Sequence, residues 1–172
     1  GIILNYSNID NNILKKSKVN LSNVEVLESE PSLPCVGFIG AGNYASRVLI
    51  PAFKDSKCKL ITLISSGGVS GVHHGKKYGF MSTSTDISNL WSTQVNTVAI
   101  VTRHNAHAKQ VIESLINGKN VFVEKPLALS LKDIDSIDDA YNSANKLQHT
   151  RLMVGFNRRF APHIIKMKDL LS

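Results

Sequence analysis

Three short segments hold the residues whose types and spacing could do chemistry. Gly40-Ala41-Gly42-Asn43-Tyr44-Ala45 follows the apolar run Cys35 to Ile39 and opens an amphipathic stretch. In that setting the first glycine allows a tight turn, the second lets the backbone approach a pyrophosphate, and a small residue at Ala45 lets the next helix pack on the strand. The helix start adds free N–H groups and a partial positive charge. Gly40, Gly42, Asn43, Tyr44 and Ala45 are therefore expected to bind a dinucleotide; without further strand–helix units the same turn would serve packing alone. Thr102-Arg103-His104-Asn105-Ala106-His107 ends the most apolar strand, and Glu124-Lys125-Pro126 ends the next. Ligand chemistry in an open parallel sheet gathers at those carboxyl ends. Lys125 offers an amine that can carry a proton to or from a reacting oxygen, against the plainer reading of a surface lysine after a strand. His104 and His107 are read as cofactor contacts or as capping and packing residues.

A site that prefers NAD usually carries an acid roughly 20 residues after the glycine turn, where it accepts from the ribose hydroxyls. Here the second strand ends in Ser65-Ser66-Gly67-Gly68, with no carboxylate. A 2′-phosphate would not be repelled there, and Ser65 and Ser66 could bond to it. Lys76 or Lys77 would add charge, or else belong to a solvated face. The cofactor is expected to be NADP or NAD, with a slight preference for NADP.

The elements that must position these residues are legible as short apolar runs alternating with helical ones, the mark of strand–helix units around a parallel sheet. Strands are expected at Cys35 to Ile39, Leu60 to Ser65, Phe80 to Ser82, Thr97 to Val101, Asn120 to Val123 and Leu152 to Gly155. Helices are expected at Tyr44 to Phe53, Gly71 to Tyr78, His104 to Asn117 and from Ser130 onward, with a helical turn over Asp86 to Trp91. Ala108, Val111, Ile112 and Leu115 form one helical face, and Gly118 stops that helix. Ser130 is read as the N-cap with Asp133 three residues on, ahead of an inner stripe of Leu131, Ile134, Ile137, Tyr141 and Ala144. Residues 1–34, rich in Asn, Ser and Lys and ending at Pro31-Ser32-Leu33-Pro34, read as a linker or the tail of a preceding domain, with Gly1 to Tyr6 apolar enough for a strand. Residues 35–155 read as the dinucleotide-binding domain, and 156–172 as the helical beginning of a further one.

Composition narrows the classes. Of 172 residues 42% are hydrophobic and 19% charged, an ordinary globular balance rather than one of disorder. No apolar run nears the roughly 20 residues that span a bilayer, and Gly1 to Ile13 lacks the plan of a secretory signal, so a cytoplasmic protein is expected. Cys35 and Cys58 are too few for a disulfide framework, lack zinc-site spacing, and read as buried thiols. The net charge of +7 comes from scattered basic residues, which fits a phosphorylated small molecule better than nucleic acid.

Taken together, the three segments resemble the Gfo/Idh/MocA superfamily of oxidoreductases (glucose-fructose oxidoreductase, inositol dehydrogenase and rhizopine catabolism) over about Cys35 to Pro162. Gly155-Phe156-Asn157-Arg158-Arg159-Phe160 matches the usual exit from the Rossmann domain. The resemblance implies an α/β fold with a doubly wound parallel sheet, followed in the family by an α+β substrate domain largely absent from this chain. It implies hydride transfer between a nicotinamide and a hydroxyl or carbonyl of a sugar, nucleotide sugar or cyclitol. It further implies that Lys125 reaches the reacting oxygen, that Glu124 holds the cofactor or orients the lysine, and that Pro126 fixes the turn through a cis bond. Thr102 would meet the cofactor by backbone or hydroxyl, and His107 matches the family's histidine at the start of the next helix. The commoner family pattern has Pro and Asn where this chain has Arg103 and His104, which leaves the roles of those two open. The Thr-Arg-His form, the paired glycines and Asn-Arg-Arg-Phe resemble a subgroup in which the module follows a zinc-type alcohol dehydrogenase domain. Members often pair, so a homo-oligomer is an expectation. The alternative is a non-catalytic module that senses the dinucleotide or docks a partner.

Overall fold

The structure is a computed structural model that describes residues 17–22, 33–91 and 94–171. The strand expected at Gly1 to Tyr6 lies outside them. Among the described residues seven strands form one sheet: β1 (Lys18–Asn20), β2 (Cys35–Ile39), β3 (Lys59–Ile64), β4 (Ser82–Ser84), β5 (Thr97–Ile100), β6 (Asn120–Glu124) and β7 (Leu152–Gly155). Their spatial order is β1-β4-β3-β2-β5-β6-β7. Every pairing is parallel except β1 with β4. Without β1 this is the doubly wound 3-2-1-4-5-6 order of dinucleotide-binding folds, which reverses direction between its first and fourth strands. Here that reversal falls between β2 and β5.

The central strands read as continuous apolar runs because both faces of the sheet are covered. All five residues of β2 are buried. One face packs under α1 (Ile50–Asp55), which continues a π-helical turn over Ala45–Leu49, and gathers Val36, Phe38, Leu49, Ile50, Leu63 and Phe80. Phe38 meets Phe53 and Phe80 edge-to-face at centroid distances of 5.2 and 5.8 Å, a geometry favoured by the ring quadrupoles. The other face packs under α3 (His104–Ile116) and α4 (Leu131–Gln148), through Val111, Leu115, Ile137 and Ala144. Lys119 is buried at the foot of this layer and donates to the Val95 carbonyl at 2.7 Å; burial pushes its amine below the ordinary lysine range.

Four features differ from the sequence reading. β1 lies within the stretch read as linker; its residues are exposed, so no burial pattern announces it. The third strand expected at Phe80 to Ser82 forms instead over Ser82–Ser84, because Phe80 owes its apolar character to core packing in the turn after α2 (Gly68–Tyr78), where it is 2% exposed. α2 begins three residues earlier than expected, with glycines on its inner face: a Cβ on Gly71 would fall 2.6 Å from Thr83 Oγ1, and one on Gly75 2.5 Å from Leu21. The inner stripe of α4 holds from Ile137 onward, whereas Leu131 and Ile134 in its first turns are exposed. The remaining strands and α3 form where expected, Ser130 caps α4 by accepting from the Asp133 N–H at 3.1 Å, and the Lys125–Pro126 bond is cis. Cys35 is buried and Cys58 half-buried, both as free thiols, and burial pushes the Cys58 thiol up. A last helix, α5 (Pro162–Leu171), buries none of its residues.

Candidate functional site

At the exit of β2 the chain turns on Gly40, whose φ of +108° is open to glycine alone at low cost. The turn is also pressed against the neighbouring strand exit: a Cβ on Gly40 would lie 2.5 Å from the Val101 carbonyl oxygen. Gly42 is different in kind. Nothing lies within 4 Å of where its Cβ would be, so the missing side chain leaves open space in front of the helix start. Ala45, 1% exposed, packs the helix onto the sheet. The chain then winds through the π-helical turn, closed by the Ile50 N–H to the Ala45 carbonyl, a feature often found at functional sites.

These residues form one wall of a cleft of about 1250 Å³ at the β2/β5 switch point, larger than the roughly 300–1,000 Å³ of ordinary small-ligand pockets. Gly40, Gly42, Asn43, Tyr44, Ala45, Ser65, Ser66 and Thr102 all line it. Room, bare backbone at Gly42 and a helix N-terminus fit an elongated diphosphate-bearing ligand. At the β3 end Ser66 is exposed, while Ser65 is buried with its hydroxyl 3.0 Å from Ser70 Oγ and 3.1 Å from the Gly67 carbonyl. Lys76 and Lys77 sit in the last turn of α2, away from this end, and are not on the cleft. The β3–β4 register, Ile64 opposite Ser84, brings Thr85 and Asp86 to the same end. Asp86 accepts from the Ser88 N–H at 2.9 Å, which holds its carboxyl below the usual range. Sequence reading missed Thr85 and Asp86 because only the strand register places them there. It also assigned no binding role to Arg103, Asn105 and Lys109, which line the opposite wall. A signal existed for the last of these, since Ala106, Lys109, Gln110 and Glu113 recur at helical spacing on one face of α3.

The remaining expected residues lie beside the cleft rather than in it. Lys125 is exposed at the exit of β6, one strand beyond β5. Glu124 pairs with Gly155 on β7, and a Cβ on Gly155 would fall 2.9 Å from its carboxylate oxygen; the glycine makes room for the acid. His104 is exposed at the start of α3. His107 is wholly buried, with Nδ1 2.7 Å from the Pro126 carbonyl oxygen and Nε2 3.2 Å from that of Thr102. The Thr102 hydroxyl donates to Gln110 Oε1 at 2.6 Å. Tyr44 reaches the exit segment, its hydroxyl accepting from Asn157 Nδ2 at 3.3 Å.

Strand order, the left-handed glycine and a long cleft at the switch point define a dinucleotide-binding Rossmann domain. The chain belongs to the Gfo/Idh/MocA oxidoreductase family, whose NAD-binding Rossmann fold matches residues 35–156. It is 33% identical over 130 residues to 4-carboxy-2-hydroxymuconate-6-semialdehyde dehydrogenase of Sphingobium sp., a match covering 74% of this chain and 39% of that protein. Over 78 residues it is 39% identical to inositol 2-dehydrogenase/D-chiro-inositol 3-dehydrogenase of Lactiplantibacillus plantarum, covering 45% of this chain and 21% of that enzyme. The crystal structure of an oxidoreductase domain protein from Kribbella flavida superposes with a TM-score of 0.73 at 26% identity, covering 81% of this chain and 39% of that one. The chain thus spans about two fifths of the length of curated relatives that it matches along most of its own length. Among the described residues no cluster of His, Cys, Asp and Glu could hold a metal ion, and no helix is long and apolar enough to cross a membrane.

Proposed function

We propose that the protein of which this chain is part transfers hydride between a nicotinamide dinucleotide and a hydroxyl-bearing carbon of a sugar, nucleotide sugar or cyclitol, and that it works in the cytoplasm. The observation that carries the reading is the Gly40–Gly42 turn, one glycine forced by backbone geometry and the other leaving open space at the mouth of a switch-point cleft. The bound dinucleotide supplies the hydride acceptor or donor. Gly42 and the helix start hold its diphosphate, and Thr102 faces its nicotinamide half. Lys125 transfers a proton to or from the substrate oxygen, with Glu124 orienting that amine. The inositol dehydrogenase relative supports a cyclitol-like substrate.

Between the two dinucleotides we favour NADP. Exposed Ser66 and the start of α2, which has no acid in its first turn, suit a 2′-phosphate; Lys76 and Lys77 no longer contribute to that preference, and Asp86 opposes it. Titration of this chain with NADP and NAD, followed by calorimetry or Trp91 fluorescence, tests the reading. Saturable binding is expected, tighter for NADP. No heat or signal with either at millimolar concentration would sink it, and NAD binding tighter by about tenfold, or 1.4 kcal/mol, would reverse the preference. In the longest form of the protein that turns over, Lys125→Ala is expected to collapse turnover while leaving dinucleotide affinity nearly intact.

A further inference from the structure

His107 is a wholly buried imidazole, and its two nitrogens join two strand exits. It sits in the first turn of α3, 0% exposed. Nδ1 lies 2.7 Å from the carbonyl oxygen of Pro126, on the loop that leaves β6 directly after Lys125. Nε2 lies 3.2 Å from the carbonyl oxygen of Thr102, on the loop that leaves β5 along the cleft. Both partners are acceptors. A ring nitrogen donates only where it carries the proton, and Nδ1 makes the shorter of the two contacts. No face of the ring is open to a ligand, and His107 is absent from the cleft wall. A cofactor contact is therefore not available to it.

We propose that His107 is a positioning residue: by donating to the Pro126 carbonyl while seated against the Thr102 carbonyl, it fixes the distance between the loop that carries Lys125 and the loop that borders the dinucleotide. This rests on the proton-transfer role proposed for Lys125. The β5–β6 ladder stops at Ile100 and Val123, so beyond those residues no backbone pairing holds the two loops in register. The imidazole takes over that task two to three residues further on. Misplacing a reacting group by about 1 Å costs about 10²-fold in rate, while a dinucleotide seated on Gly40 and Gly42 would be unaffected. The expected signature is a loss in kcat with unchanged cofactor affinity.

Three replacements separate this role from a merely structural one. His107→Asn puts an amide N–H near the Nδ1 position, His107→Gln near Nε2, and His107→Leu fills the space with no donor. In His107→Leu the backbone amide resonances of residues 124–128 are expected to move and kcat in the longest active form to fall about 10²-fold, with dinucleotide affinity of this chain unchanged. His107→Asn should return both toward wild type, and His107→Gln should not. A proton bound to Nδ1, read from ¹⁵N-coupled ring resonances, is expected in the wild type. Loss of dinucleotide affinity in His107→Asn, a proton on Nε2 instead, or unmoved 124–128 resonances in His107→Leu would overturn the proposal. If His107→Leu does not fold, the Asn and Gln comparison decides. The ring and amide resonances are read without cofactor, so failed dinucleotide binding by the wild type would sink the proposed function while leaving this geometry separately tested.

Discussion

Gly40 and Gly42 stand two residues apart and are glycines for unlike reasons. A side chain at Gly40 would have to adopt a positive φ, costing about 1–2 kcal/mol, and would overlap the Val101 carbonyl. Gly40→Ala is therefore expected to lower the melting temperature of the chain even without ligand. At Gly42 the Cβ meets nothing in the protein. Gly42→Ala should fold with stability within about 0.5 kcal/mol of wild type yet bind dinucleotide more weakly, since its methyl would enter the open space proposed for the diphosphate. Calorimetric melting and titration of the two variants check this; equal stability loss at both positions would refute the distinction. Both glycines were legible in the sequence from their place between an apolar strand and a helix. So was their division of labour; what was not legible is the press of Gly40 against the Val101 carbonyl, because it depends on which atoms at the exit of β5 lie opposite the turn. The same holds for His107: its type and position left open a cofactor contact or a capping or packing role, and only the fold shows it buried between two carbonyls, the observation behind the proposed tie.

Elements were most legible where burial follows a strong period. α3 shows its face in Val111 and Leu115, both 0% exposed, and the capped start of α4 is visible in Ser130 and Asp133. The Ser130 hydroxyl both accepts from the Asp133 N–H and donates to its carboxylate at 2.8 Å. Ser130→Ala is expected to destabilise the domain by about 1 kcal/mol, checked by denaturant midpoint at unchanged slope; no change would mean that the exposed first turn of α4 adds nothing to the fold. That turn is also where periodicity misled, since Leu131 and Ile134 continue the stripe of Ile137 and Ala144 past the edge of the layer they cover. β1 and the register of β4 were illegible for the complementary reason. Their residues pair through backbone N–H and C=O groups, and side-chain types carry little of that information.

Over the whole molecule, ligand binding and folding are linked. A dinucleotide that binds only the native state at about 100 times its Kd adds about 2.7 kcal/mol of stability, so the melting temperature should rise by several degrees on adding NADP. An unchanged midpoint at a saturating concentration would contradict the cleft assignment. The sequence by itself determined the class of fold, the glycine turn and the strand-end segments, because alternation of apolar runs, turn glycines and caps is local and survives in one dimension. Tertiary structure decided the rest. It joined the β2 and β5 exits into one cleft, brought Asp86 and Arg103 to its walls, and kept Lys76 and Lys77 off it. It also placed His107 between Thr102 and Pro126. Those outcomes follow from strand order and register, which bring together residues distant in the chain by a route that local composition does not encode.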